Sequence, residues 1–140
     1  MGRTIAGILV SMLLSAAGPQ ATIIDTGSTN RPGSRVTVDV EGNAIVEPRN
    51  ADVVRMKLPE DLCKQLMHDI AAAEPLSALP AVHCMKSVSF GSSLFIEHDG
   101  NRSPDLNCPS QRDDRAAALQ KDAKEILKAA RATGPSPGPR

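Results

Sequence analysis

The apolar positions of this chain fall into two rhythms, one of period two and one of nearly four. Residues 35–40 alternate cleanly: Val36, Val38 and Val40 share one face and Thr37 and Asp39 the other, as in a half-buried strand. Gly42 and Asn43 follow as a tight turn, and residues 44–47 form the return strand of a hairpin. Ahead of it, residues 21–25 are a short β-branched strand, and residues 27–33 (GSTNRPG) are rich in turn formers. After it, Pro48, Arg49 and Asn50 break the alternation, and residues 53–58 are a further extended piece.

The rhythm then changes. Pro59 suits a first helical position, and Glu60 and Asp61 suit a first turn, where carboxylates meet the positive end of the helix dipole. Leu62, Leu66 and Ile70 recur every four residues, with Cys63 and Met67 beside them, and Pro75 ends the run. A second hairpin is predicted next. Its first strand covers residues 87–98, bent at Gly91, Asp99-Gly100 is its turn, and Pro104 cuts its return strand as an edge strand would tolerate. Ser110 stands three residues before Asp113 in a capping-box arrangement that opens a last helix, running to about Ala130. Ala116, Leu119, Ala123, Ile126, Leu127 and Ala130 mark its core face, with Lys121, Lys124 and Lys128 mostly outside it.

The order β-β-β-α-β-β-α predicts an α+β fold, an antiparallel sheet of about five strands with two helices on one face. The expected organisation is a single domain over residues 18–131, followed by a Pro/Gly-rich, disordered tail at 132–140.

The first residues alter this picture. A basic Arg3, an apolar run over residues 5–14 and the small residues Ser15, Ala16 and Ala17 have the layout of a secretory signal peptide, residues 1–17. The run is too short to span a bilayer, which takes about 20 residues, so no stable membrane span is expected after cleavage. Cleavage removes only Arg3 among the charged residues, leaving a near-neutral chain. That gives no electrostatic case for a nucleic-acid partner, and with no Trp or Tyr there is almost no stacking platform for bases. A secreted or periplasmic location follows from the leader.

Export also bears on Cys63, Cys84 and Cys108, for which three pairings are possible. Cys63 lies on the apolar helical stripe, the usual place of a buried, inert thiol. Cys84 and Cys108 sit in Pro-flanked irregular sequence at the two ends of the second hairpin. A bridge between them would clip the hairpin base, worth about 3–4 kcal/mol in the chain-entropy model.

Three stretches carry candidate chemistry. Asp25-Thr26-Gly27-Ser28 matches the signature around the aspartate of pepsin-like and retroviral aspartic proteases, in which two such turns share one proton between two carboxylates. One copy requires a dimer with Asp25 as catalytic acid. The resemblance covers only residues 23–28, only seven residues precede Asp25 after cleavage, and the nearest match to the family's bracing motif, Ser89-Phe90-Gly91, has a Ser where an aliphatic residue belongs. The match is read as coincidental, a strand end with turn chemistry. Second, Asp99, Asn101, Ser103 and Asp105 place oxygen ligands at alternate positions, as a calcium loop begins. Pro104 and Ser110 stand where an EF-hand needs Gly and Glu, so Asp99, Asn101 and Asp105 remain only a looser alternative to an Asp-Gly hairpin turn. Third, His83, Cys84, His68, His98 and Cys108 are zinc-ligand types without ligand-like spacing. No metal and no cofactor are expected.

The sequence HCMKSVSFGSSLFIEHDGNRSPDLNCP, residues 83–109, taken with TGSTNRPG, resembles a group of small exported bacterial proteins of uncharacterised function. Their shared pattern is HCMKS-x-SFG, a strand, then DG-x-x-SPDL-x-C. The resemblance implies a common fold, supports the Cys84–Cys108 bridge and implies no activity. It also makes TGST, rather than the Asp, the recurring part of the first motif.

The reading that results is a non-enzymatic exported domain that binds an extracytoplasmic protein or a small ligand. The candidate binding residues are Thr26, Ser28, Lys86, Ser103 and Asp105. The competing readings are the dimeric aspartic protease and the calcium loop.

Overall fold

A computed structural model describes residues 18–87, 89 and 91–134. The expected leader, residues 1–17, lies outside the described residues, as do Val88, Phe90 and residues 135–140 of the expected tail. The fold is α+β. Four strands run in sequence as hairpins: β1 (Gln20–Ser28), β2 (Arg31–Asp39), β3 (Asn43–Pro48) and β4 (Val54–Lys57). Helix α1 (Glu60–Ala73) and a short 3-10 turn (Leu76–Ala78) lead to β5 (Leu94–His98), β6 (Asn101–Arg102) and the long helix α2 (Asp114–Thr133). All pairings are antiparallel, in the order β4-β3-β2-β1-β5-β6, so β1 lies inside the sheet between β2 and the returning β5.

The period-two pattern decides which face is covered. Ile23 opposes both Val36 and Ile96, Ala21 opposes Val38, Val38 opposes Ala44 and Ala44 opposes Met56. These positions share one face, and all except the partly buried Met56 are fully buried. Leu66 and Ile70 of α1 and Leu119, Ala123 and Ile126 of α2 close over that face in a single core. The opposite face is half-covered by its own side chains: Thr22 hydrogen-bonds Thr37 across the strands, and the Arg102 guanidinium lies 4.2 Å from the Phe95 ring centroid. Among the described residues no helix is long and apolar enough to cross a membrane.

The structure departs from the sequence expectation at four points. The sheet has six strands, because residues 54–57 pair with β3. The first turn is short: Gly27 opposes Pro32 and Ser28 opposes Arg31, so β1 and β2 continue to a two-residue turn at Thr29-Asn30. The glycines explain this continuation. Gly27 has φ +67°, and a side chain on Gly27 or Gly33 would collide with the facing backbone, so the two allow close approach instead of ending the strands. The second hairpin begins at Leu94 rather than residue 87, because the Gly91 amide turns back onto Ser87 O at 2.7 Å. Finally, Asp113 rather than Ser110 caps α2, its carboxylate accepting the Arg115 and Ala116 amides at 2.9 and 3.2 Å. The helix then continues to Thr133.

Candidate functional site

Four of the five predicted binding residues, Thr26, Lys86, Ser103 and Asp105, hold the fold together. Pro104 cannot donate to a ladder, so the segment after β6 follows β5 by another means. Ser103 donates its amide to Ile96 O and accepts the Ile96 amide on its own hydroxyl, at 2.9 and 3.0 Å. Asp105 accepts the Leu94 amide at 3.0 Å, and Leu106 returns its amide to Leu94 O at 2.8 Å. Two side chains thus stand in for backbone acceptors, and Ser-Pro-Asp-Leu behaves as a strand. Asp105 also pairs with Lys86, whose ammonium donates to Ser92 O at 2.7 Å and fastens the loop over residues 84–93. Burial works to raise the pKa of Asp105, but the hydrogen bonds from Lys86, Leu94 and Asn107 outweigh it and hold the carboxyl below its ordinary value. Cys84 and Cys108 are joined as a disulfide with Cα atoms 5.7 Å apart, at the foot of the same loop, and Cys63 is a buried free thiol. Thr26 accepts the Ser93 amide at 2.9 Å, and Ser28 ends β1 beside the turn. Asp99 and Asn101 sit at the hairpin tip, whereas the Asp105 carboxylate is turned into the loop.

Asp25 stands elsewhere. It falls on the covered face of β1, only 6% exposed, opposite Ser34 and Leu94. A carboxylate there needs partners. The Gly27 amide donates to Oδ1 at 2.9 Å, and Arg31, from the far side of the turn, reaches Oδ2 at 3.0 Å. Arg31 also donates to Ser92 Oγ at 3.1 Å, tying this end of the sheet to the disulfide-anchored loop.

Two cavities meet at this ion pair. One, about 510 Å³, lies where β2, β3 and β4 diverge from the second half of α2. Its walls are mainly apolar, chiefly Val36, Val46, Val54, Met56, Leu127 and Ala130. The other, about 310 Å³, is bounded by Lys124, Lys128 and Arg131 of α2 together with Leu94 and Asn107. Asp25, Arg31, Leu127 and Arg131 line both. Lys124, Lys128 and Arg131 recur at four- and three-residue intervals, so they follow one flank of the helix. Among the described residues none of these three has an ion-pair partner. Arg31, Lys124, Lys128 and Arg131 thus line the two cavities together with the carboxylate of Asp25 and, in the apolar one, that of Asp52. Such a pairing of apolar wall and convergent polar groups, in this size range, is the usual character of a small-molecule site.

Sequence reasoning identified Asp25 but missed Arg31 and the lysine flank. The spacing of Lys124, Lys128 and Arg131 was visible, but it reads equally as an ordinary solvated helix face. Only the packing of α2 against the Asp25 end of the sheet makes it one wall of a cavity. Comparison with family models, with curated proteins and with solved structures finds no match for this chain.

Proposed function

We propose that this protein is an exported, non-enzymatic binding domain whose ligand is a small anionic amphiphile, with an apolar body in the recess between β2–β4 and α2. The anionic group would meet Lys124, Lys128 and Arg131. The observation that carries this reading is the continuity of an apolar and a basic cavity across the Asp25–Arg31 ion pair, buried on its Asp25 side and open on its Arg31 side. Apolar area removed from water contributes about 25 cal/mol per Å², and unpaired cations at the rim supply orientation. In this reading Asp25 is a positioning group that holds Arg31 at the boundary between the cavities. A disulfide-clipped domain with a buried free thiol accords with an oxidising, extracytoplasmic location.

The test is calorimetry with a medium-chain carboxylate below its micellar concentration, beside the uncharged alcohol of equal length. Saturable one-to-one binding of the carboxylate, weaker for the alcohol and weakened again by salt, is expected. Lys128→Glu and Arg131→Glu should reduce it. Equal binding of acid and alcohol, unaffected by both reversals, would remove the basis of the proposal.

A further inference from the structure

A second constellation lies at the opposite end of β1, about 17 Å along the strand from Asp25 at the usual rise per residue. His98 closes β5, and its side chain is only 8% exposed. Its Nδ1 lies 2.7 Å from Gln20 O. A carbonyl only accepts, so Nδ1 carries the hydrogen. That bond fixes the ring and leaves Nε2 facing outward. Two carboxylates meet it there: Glu74 Oε1 at 3.5 Å and Asp99 Oδ2 at 3.3 Å, the three ligand atoms all within 4.8 Å of one another.

The three side chains arrive from separate elements. Glu74 is the residue that ends α1, held by the start of the Pro75 segment. Asp99 is the first residue of the β5–β6 turn, in the left-handed region at φ +49°. The Ser77 hydroxyl donates to Asn101 Oδ1 at 3.2 Å, linking the segment after Glu74 to the hairpin that carries Asp99. The cluster is therefore braced from outside itself. Asp99 is 81% and Glu74 49% exposed, so one side of the cluster opens to solvent.

We propose that Glu74, His98 and Asp99 form a binding site for a divalent transition ion of the zinc type, with three protein ligands and one position open to water. The donor set of one imidazole nitrogen and two carboxylate oxygens suits zinc, and a histidine that donates its other ring nitrogen to a backbone carbonyl is the usual supporting arrangement. The spacing fits as well. With metal–ligand bonds of about 2.1 Å, neighbouring ligands of a tetrahedron lie about 3.4 Å apart. The two Nε2–oxygen separations of 3.5 and 3.3 Å bracket that value. Two carboxylates balance the charge of the ion. The sequence concealed this site because Glu74 is distant in the chain from the His98-Asp99 pair, and only the packing of the 3-10 turn after α1 against the hairpin joins them.

Tag-free protein, stripped of metal, is titrated with zinc at about pH 7.5 in competition with a chromogenic chelator. Cobalt is then substituted and its visible absorption recorded. One zinc per chain, and intense visible bands from tetrahedral cobalt, are expected. Glu74→Gln and Asp99→Asn alter exposed side chains, leave the circular dichroism unchanged, and each weaken binding on the order of tenfold or more. His98 is left intact because its buried ring is tied to Gln20. Failure of the wild-type chain to take up zinc, or wild-type affinity in either variant, overturns the proposal.

Discussion

Asp122→Asn offers the sharpest check on how the two helices are joined. Asp122 lies on the core stripe of α2, only 5% exposed. Its Oδ2 is buried with no hydrogen-bond partner, and the group its carboxyl meets is Asp69 of α1. Burial, and then the hydrogen bond to Asp69, push its pKa from 3.8 up to about 7. Asp69 moves the opposite way, lowered first by the hydrogen bond from Asp122 and further by Gln65 and His68. On its own helix Asp122 also has Glu125, which raises its pKa, and Lys121, which lowers it.

The sign follows from linkage. A carboxyl whose folded pKa lies above its unfolded value binds the proton more tightly in the fold, so it stabilises most at low pH. That contribution is lost as pH rises from about 4 through about 7. The stabilisation from Asp69 is lost only below the ordinary carboxylate range, so it does not cancel the effect above it. At about 1.4 kcal/mol per pKa unit, the Asp122 contribution lost between pH 5 and pH 8 is about 2–3 kcal/mol. Asparagine keeps the shape and a donor for Asp69 without the ionisation. Guanidinium unfolding at pH 5, 6, 7 and 8 should therefore show Asp122→Asn gaining on the wild-type chain by about 2–3 kcal/mol across that range. Other titrating groups cancel in the difference. A stability difference between the two chains that is flat with pH would refute the shared-proton account of the α1–α2 contact.

Other expectations follow from the loop and the first hairpin. Ser103→Ala leaves the Ile96 amide without its acceptor and should cost about 1–3 kcal/mol in urea unfolding, while Ser110→Ala, which removes no helix cap, should change little. Replacing Cys84 and Cys108 by serine should cost about 3–4 kcal/mol, read as a lower midpoint equal to that of the reduced wild-type chain. Gly27→Ala forces a side chain against the backbone of residues 31–33 at positive φ, and should lower the melting temperature more than Gly100→Ala, where a Cβ meets open space at a comparable φ.

Much of the framework was legible in residue order, because burial imposes period two on strands and nearly four on helices. Val36 and Val38 set the face of β2, and the six apolar positions predicted for α2 are all buried. Asp122 falls on the same stripe, but a carboxylate is expected to point outward unless its partner is known. Ser103 and Asp105 stood out as polar residues of a loop, yet their side chains serve as ladder acceptors for Ile96 and Leu94. That role depends on register with β5, which the sequence does not state. Glycines usually mark turns, so in sequence the Gly27–Gly33 segment has the look of a long turn. Here they admit a closely paired continuation of two strands, which brings Arg31 over Asp25. The candidate cavity was hidden for a related reason: its walls come from β2, β3, β4 and α2, and no local pattern records their meeting.

The central claim is that the ligand site lies beside Asp25 and Arg31. Backbone amide NMR, with a medium-chain carboxylate titrated into the isotopically labelled chain, tests it most directly. Saturable shifts should cluster at Arg31, Val46, Met56 and the stretch from Lys124 to Arg131, with Gln20 and His98 unmoved. No saturable shifts, or shifts centred on the His98 end of the sheet, would contradict the account.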